Sequence, residues 1–582
     1  MVKYKAILCA CAFLIFSGIS LRAQDSKTFV HTIKQGETVF SIAQTYHVST
    51  QEIFRLNPDA LDGIKAGNTL IIPQNTSGTA TGQRYHTVAA GETLYRLTKL
   101  YQVSAEDICK ANPGLTADNF KTGMVVLIPR SSTQQAIAKK TASAEPQKPK
   151  CKEMHKVQRR ETLYSISKDY NITEAELIAA NPEMKEPDYK LKRGSYICIP
   201  YLSPKPKAEV QAPTNKELIC PPTVSAPQSL VRMGVILPFK KQYKESSRMI
   251  EFYRGALLAV ENMKKSGLSV EVYAYNSGET AKELQQLLNT GKVPQLDFIL
   301  GPLYPEQIET LSKYCQNKQI RLVVPFSSLG DEVYSTPRYF AVSPPKSFQQ
   351  AEACELTLEI FKNQNFIFLD SKENDEDAAS FTDELEKQLQ QNGIRSKTVS
   401  LGSDEMTWLS ALTRYKDNVI VPNSSSIKVL NTLFPKLKEI AKSYPEYRIK
   451  LLGYPEWQTY TNKHLENFYK FDTYAYSQFY RNPLQSQSSQ FDQNYRNNFN
   501  QSPIASYPRF GMLGYDLTYY FLKGISAYGK GFENHLKDVK TQPYQHRFSF
   551  SRISNWSGFI NKEMQFIHYT PSQSIELIRL KQ

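Results

Sequence analysis

A segment of roughly fifty residues is written three times before residue 201, and repetition on that scale constrains the fold more than any other feature of the chain. The first copy begins His31-Thr-Ile-Lys-Gln-Gly-Glu-Thr-Val-Phe-Ser-Ile-Ala and continues through Asn57-Pro58 to Leu70-Ile-Ile-Pro73. The second begins His86-Thr-Val-Ala-Ala-Gly-Glu-Thr-Leu-Tyr-Arg-Leu and continues through Asn112-Pro113 to Val126-Leu-Ile-Pro129. The third begins His155-Lys-Val-Gln-Arg-Arg-Glu-Thr-Leu-Tyr-Ser-Ile and continues through Asn181-Pro182 to Ile197-Cys-Ile-Pro200.

Each copy reads as strand, helix, helix, strand. The alternating run Thr32 to Lys34 predicts a strand, and Gly36 the turn after it. Thr38 is placed to cap a helix whose apolar residues Val39, Ile42, Ala43 and Tyr46 fall at helical spacing. Ser49-Thr-Gln-Glu52 is a capping box for the second helix, with Val48 and Ile53 as its hydrophobic staple. Thr173-Glu-Ala-Glu176 repeats the box, while Ser104 keeps the cap with Asp107 in the acidic position. Asn-Pro stops the second helix, because the residue before a proline is pushed out of helical conformation.

At these residues the chain resembles the LysM family, small βααβ modules that bind N-acetylglucosamine-containing glycans such as peptidoglycan. Gly-Glu-Thr, Asn-Pro and Ile-Pro carry the resemblance in register. It implies a shallow sugar groove between the first strand–helix loop and the second helix–strand loop. In the first copy that groove is Gly36, Glu37, Thr38, Val39, Asn57 and Pro58. In the second it is Gly91, Glu92, Thr93, Leu94, Asn112 and Pro113. In the third it is Glu161, Thr162, Leu163, Asn181 and Pro182, with Arg160 where the glycine stood. A long charged side chain there stands where backbone should approach the sugar. Thr and Asn-Pro also cap helices, so these residues serve structure as well.

Met1–Ala23 carries Lys3 and Lys5, an apolar run from Ala6 to Ile19 and a small residue at Ala23, which reads as an export signal rather than a span. No later stretch is long and apolar enough to cross a membrane. The expected location is exported, periplasmic or cell-envelope associated. Net charge is +15, with Lys3, Lys5 and Arg22 inside the leader. A basic exported chain suits anionic wall polymers or a plain lysine-rich surface, and nucleic acid is not an expected partner.

Cys109, Cys151, Cys198, Cys220, Cys315 and Cys354 lie beyond the leader, where disulfides are permitted but the spacing selects no pairing. Cys109 takes the second-helix position filled by Phe54 and Ile178 and is expected as a small buried apolar residue. Cys198, between Ile197 and Ile199, is expected to point outward, with Cys151 or Cys220 within reach as a partner. No Cys-x-x-Cys occurs, so neither a metal nor a cofactor is expected. Residues 74–84, 131–150 and 202–228 read as spacers, the last proline-rich and semi-extended. The expected limits are therefore 1–23 for the signal; 30–74, 85–130 and 154–201 for the modules; 131–150 and 202–228 for linkers; and 229–582 for a large domain.

From Ser229 the pattern turns to alternating strands and helices. Val231–Phe239, Val270–Tyr275, Phe298–Leu300, Leu322–Pro325, Tyr339–Val342 and Phe366–Leu369 read as strands. Met249, Tyr253, Ala256, Leu257, Val260 and Met263 make one helical stripe. The layout is α/β with parallel sheets, long enough for two lobes. Here the residues resemble type 1 periplasmic binding proteins of the leucine/isoleucine/valine kind. Phe252-Tyr-Arg-Gly-Ala-Leu-Leu-Ala-Val-Glu261, Gly301-Pro302, Pro325-Phe-Ser-Ser328, Tyr339-Phe-Ala-Val-Ser-Pro344 and Gly511-Met-Leu-Gly-Tyr-Asp516 follow in that family's order. The resemblance implies a ligand cleft, with Tyr304, Ser327 and Ser328 as its candidate residues. Leu303-Tyr304-Pro305 replaces the small hydroxyl that would hold an amino acid's carboxylate.

No His-Glu-x-x-His, Gly-x-Ser-x-Gly or phosphate-cradling loop is present. Ser425-Ser-Ile-Lys428 and Lys121-Thr-Gly123 match pieces of penicillin-interacting enzymes in reversed order, which is coincidence. No catalytic residue is assigned. His31, His86 and His155 are equivalent positions of separate modules, not a metal site. The expected fold is multidomain, three small α+β modules followed by a two-lobed α/β domain. The expected function is non-enzymatic binding of peptidoglycan glycan strands, with the large domain sensing, scaffolding or regulating a wall-synthesis or wall-remodelling enzyme. A wall-tethered receptor for an amino acid or muropeptide is the alternative, and a cryptic wall hydrolase a remote one.

Overall fold

The structure, a computed structural model, describes residues 28–74, 84–116, 119–129, 151–158, 161–170, 172, 174–181, 184, 191–200, 226–328, 330–482 and 486–579. The leader, the spacer 131–150, most of the other two spacers, Arg160, Thr173, Pro182 and Cys220 lie outside the described residues, as do the side chains of Cys151 and Glu176. The chain forms two compact units, residues 1–92, 108–128 and 219–582 in one and residues 93–107 and 129–218 in the other.

In the first repeat, strands Thr28–Thr32 and Thr69–Pro73 pair antiparallel, with Thr28 opposite Pro73 and Thr32 opposite Thr69. Helices Val39–Tyr46 and Thr50–Leu56 lie between them. The first strand comes earlier than the Thr32–Lys34 alternation predicted. Ile33 still bonds across to Asn68, but the Lys34 amide is taken by the Glu37 carboxylate at 2.7 Å, which turns the chain into the loop. Thr38 and Ser41 cap each other reciprocally, as Ser49 and Glu52 do at the next helix. Thr162 and Ser165 repeat the first of these boxes in the third copy. Ile42, Ala43, Tyr46, Ile53, Leu70 and Ile72 fill the small core.

The cysteines depart from expectation. Cys109 is buried as expected, but it is disulfide-bonded rather than a bystander of the core. Cys198 is also disulfide-bonded and buried, while the module's core cluster holds its neighbours Ile197 and Ile199 without it, in keeping with strand alternation. Asn181 accepts the Cys198 amide at 2.6 Å and donates to its carbonyl at 2.8 Å, which ties this strand to the end of the second helix. Cys315 and Cys354 are free and buried, with both thiols pushed up in pKa by burial.

The large domain is built on two seven-stranded sheets. The first sheet runs, edge to edge, Phe550–Arg552, Phe559–Asn561, Tyr339–Ala341, Arg321–Val324, Phe298–Leu300, Leu230–Leu237 and Ser269–Asn276. The second runs Ser396–Ser400, Asn365–Asp370, Asn418–Pro422, Ile449–Gly453, Thr473–Ser477, Gln565–Tyr569 and Ile575–Arg579. The central strands of both are parallel, and antiparallel strands close one edge of each. The chain crosses between the lobes after Ala341, after Ser477 and after Asn561. This layout resembles the type 1 periplasmic-binding-protein fold.

Two motifs gain a physical reason. The helices Ser246–Lys265 and Phe510–Tyr528 cross so closely that a Cβ at Gly255 would stand 1.8 Å from the Gly511 carbonyl oxygen. A Cβ at Gly514 would stand 2.0 Å from that of Phe252. Asp516, fully buried, accepts the amides of Tyr544, Gln545 and His546 at 2.8 Å each and so fixes the chain returning to the first lobe. The helix Ser246–Lys265 is buried on more than the predicted stripe. Leu258 and Ala259 pack against Phe491, Tyr495 and Met512 on its other side. Among the described residues no helix is long and apolar enough to cross a membrane.

Candidate functional site

The three repeated loops share one lock. His31 Nε2 lies 2.7 Å from Glu37 Oε2, His86 Nε2 2.7 Å from Glu92 Oε2, and His155 Nε2 2.8 Å from Glu161 Oε2. The same carboxylates accept backbone amides, from Lys34 at 2.7 Å, Ala89 at 2.8 Å and Gln158 at 2.6 Å. With its proton on Nε2, the His31 ring donates to Glu37 and accepts the Tyr46 hydroxyl at Nδ1, 2.6 Å away. His155 and Tyr170 repeat this contact at 3.0 Å. Hydrogen bonds from the Gln158 amide and from His155 hold the Glu161 carboxyl below the usual carboxylate range. The signal was in the sequence, histidine and glutamate six residues apart in every copy, but it reads as a lock only once the loop is folded.

The asparagines are similarly engaged. Asn57 Nδ2 donates to the Ile53 and Ile71 carbonyls at 2.8 and 2.7 Å, and Oδ1 accepts the Ile71 amide at 2.8 Å. Asn112 makes the same three bonds to Ile108 and Leu127, and Asn181 to Leu177 and Cys198. Each asparagine therefore ties the end of the second helix to the last strand. Thr38, Thr93 and Thr162 accept the amides of Ser41, Arg96 and Ser165. Glutamate, asparagine and threonine side chains thus build the loops. Val39, Pro58 and Gly91 keep exposed or half-exposed surface beside them, whereas Leu94 is buried and Gly36 is packed against Phe348. Gly36 and Gly91 take positive φ, 81° and 77°, a backbone region that costs any other L residue strain. Among the described residues no group of three or more His, Cys, Asp or Glu is placed to hold a metal ion.

In the large domain a cavity of about 520 Å³ lies at the crossing segments. Tyr304, Phe326, Phe479 and Phe510 face it, with Arg248 and Glu245 paired at its rim, 3.0 Å apart. The Arg248 guanidinium stands 5.7 Å over the Phe510 ring. Of the three predicted cleft residues, Tyr304 lines the cavity, whereas Ser327 is buried and Ser328 half-buried, both away from its lining. The Tyr304 hydroxyl donates to Glu279 Oε1 at 3.1 Å. Loss of solvent, then the Glu279 carboxylate, push its pKa up to about 12.

The LysM family model matches residues 31–73, 86–129 and 155–200. These three segments are LysM domains. Over 109 residues the chain is 31% identical to an autolysin of Enterococcus faecalis, a match covering 17% of this chain and 14% of that protein. Over 96 residues it is 34% identical to a probable autolysin of Staphylococcus aureus, covering 14% of this chain and 34% of that protein. Intracellular hyphae protein 1 of Colletotrichum lindemuthianum is 28% identical over 128 residues, 18% of this chain and 54% of that one. The chain thus spans only a part of each relative's length. Among solved structures, a branched-chain amino acid ABC transporter protein from Rhodospirillum rubrum aligns over 60% of this chain and all of its own, at 11% identity and a TM-score of 0.44. A leucine-bound ABC transporter substrate-binding protein from Desulfitobacterium hafniense aligns over 60% of this chain and all of its own, at 13% identity and a TM-score of 0.35.

The first LysM domain is docked on the large domain. Trp556, in the turn between Phe550–Arg552 and Phe559–Asn561, is buried with its ring 5.9 Å from Tyr46 and 5.3 Å from Tyr85. Lys34 Nζ donates to the Ile553 carbonyl at 2.6 Å, and burial lowers the amine's pKa. A Cβ at Gly36 would stand 2.8 Å from Phe348 Cδ1, on the segment that first crosses between the lobes. Around the equivalent Gly91 nothing lies within 4 Å. Trp556 and Phe348 carry no sequence signal for this role, because each sits in an unrepeated stretch far from its partner along the chain.

Proposed function

We propose that this is an exported, cell-envelope-associated protein that binds the N-acetylglucosamine glycan of peptidoglycan through its LysM domains, and that its large domain scaffolds or regulates an enzyme of wall synthesis or remodelling. The observation that carries this reading is the thrice-repeated loop, locked in each LysM domain by the same His–Glu pair and the same asparagine tie. Pre-set loops bind without the cost of ordering them first. The partial likeness to two autolysins supports the wall as target. Purified full-length protein should co-sediment with sacculi and release no soluble muropeptides. Release would make the chain a hydrolase, and failure to sediment would remove the binding reading.

A second reading, a wall-tethered receptor for an amino acid or muropeptide, is favoured by the cleft. Its volume falls within the usual range for small-molecule sites, and its aromatic faces suit an apolar or ring-bearing solute better than a free carboxylate.

A further inference from the structure

We infer that the first LysM domain does not hold glycan alone, and that the large domain's helix Glu376–Gln391 forms the opposite wall of a composite site for an N-acetylated glycan strand. The inference rests on the proposed glycan binding and adds to it a partner surface outside any LysM domain.

Between the loops Lys34–Thr38 and Ile64–Ala66 and this helix lies a crevice of about 830 Å³. The helix meets it along a single stripe. Ser380, Asp383, Glu384, Lys387, Gln388 and Gln391 line the crevice at helical spacing, while Ala378, Phe381, Thr382, Leu385 and Leu389 are buried behind them. From Ser380 to Gln391, at about 1.5 Å rise per residue, the stripe is roughly 17 Å long, more than a single sugar ring needs. The opposing loops are held at fixed points. Gly36 packs on Phe348, Gln35 Nε2 donates to the Ala351 carbonyl at 3.3 Å, and a Cβ at Gly63 would stand 3.4 Å from Lys387 Nζ.

The chemistry of the stripe selects the ligand. Hydroxyl, carboxylate, ammonium and carboxamide groups alternate, a mixture that satisfies sugar hydroxyls as donors and acceptors and an acetamido group at both ends. On the helix side Glu376, Asp383 and Glu384 line the crevice against Lys387, so that wall disfavours a phosphate-rich polymer although Lys34 and Lys65 stand on the loops across from it. A neutral glycan meets no such barrier. A strand lying on the first LysM domain would then touch the second lobe, and its occupancy would favour one separation of the lobes over others.

The test uses the full-length protein carrying Cys151→Ser, Cys220→Ser and Gln391→Cys, labelled with an environment-sensitive dye; among the described residues the free Cys315 and Cys354 are buried, and the same protein without Gln391→Cys sets the background. Titration with tetra-N-acetylchitotetraose should change the emission saturably. Asp383→Ala with Gln388→Ala, exposed and half-buried positions whose loss the fold tolerates, should raise the half-saturation concentration about tenfold. A silent dye in protein that still sediments with sacculi would overturn the composite site and leave glycan binding standing. A dye response whose midpoint ignores the double substitution would overturn it as well. Failure of both dye response and sedimentation would remove the glycan reading itself.

Discussion

Glu37 and His31 of the first LysM domain meet at 2.7 Å with both side chains nearly closed to solvent, 4% and 6% exposed. A carboxylate so placed holds a loop. It does not wait for a sugar. Glu37→Ala would leave the Lys34 amide and the His31 ring without their acceptor, at a cost of about 1–3 kcal/mol. Urea unfolding should register that loss. Glu161→Ala removes a pair exposed to 20% and 16%, so it should lower the unfolding midpoint less. Equal losses at the two sites would mean that burial does not set the strength of the lock.

Much of this arrangement was legible in the sequence, and the rest failed for definable reasons. Caps at Thr38 and Ser49 and the stops at Asn57, Asn112 and Asn181 are local, settled within one helical turn, and local rules read them. The strands of the large domain show as apolar runs because parallel strands are covered on both faces. The first strand of the LysM domain ends at Thr32, short of the alternation that runs to Lys34, because Glu37 withdraws the Lys34 amide from the ladder from three residues away. Cys198 is buried through a disulfide, and spacing along the chain selects no pairing. The docking of Trp556 on Tyr46 and Tyr85 joins residues hundreds of positions apart, and no period or motif encodes such a contact.

That docking can be weakened selectively. The Trp556 indole N–H has no hydrogen-bond partner, so the ring contributes through packing. Trp556→Phe should therefore keep most of the contact, whereas Trp556→Ala should cost about 3–5 kcal/mol of local stability. Limited proteolysis would show it as faster cleavage near residue 84 in the alanine variant. Equal cleavage of the two variants would mean that the indole does not anchor these tyrosines.

His546 makes stability depend on pH. Burial drags its pKa from 6.5 down to about 3, and its ring lies stacked 4.6 Å from Phe479. Between those pH values the unfolded chain binds a proton that the folded chain refuses, so stability present above 6.5 is lost as pH falls toward 3. At pH 5 the loss is about 2 kcal/mol. Asp516 acts in the opposite sense. Burial, against three amide donors, pushes its pKa up from 3.8 to about 7, so its contribution is full below 3.8 and is lost as pH rises toward 7. His546→Phe removes the first effect and leaves the second. Relative to the parent, the variant should gain about 2 kcal/mol on going from pH 8 to pH 5, measured by urea unfolding at both. A difference that stays constant with pH would show that the imidazole is not held neutral in the fold.

The large domain's cleft separates the two functional readings. A receptor for free amino acids needs unengaged donors for a carboxylate, and beside Tyr304 the Arg248 guanidinium in the lining is already paired with Glu245 and stacked over Phe510. The Tyr304 hydroxyl already donates to Glu279, and Ser327 and Ser328 lie away from the cavity. An incoming carboxylate would shed water beside a like charge and recover little in exchange. The twenty common amino acids should therefore leave the melting temperature of the full-length protein unchanged. Detection is not limiting, because a ligand at a hundredfold excess over Kd adds about 2.7 kcal/mol. A dose-dependent rise with leucine or valine, abolished by Ser327→Ala with Ser328→Ala, would reverse the preference. Those serines would then have to turn into the cleft when ligand arrives, and the protein would be a working receptor carried on a wall-binding anchor.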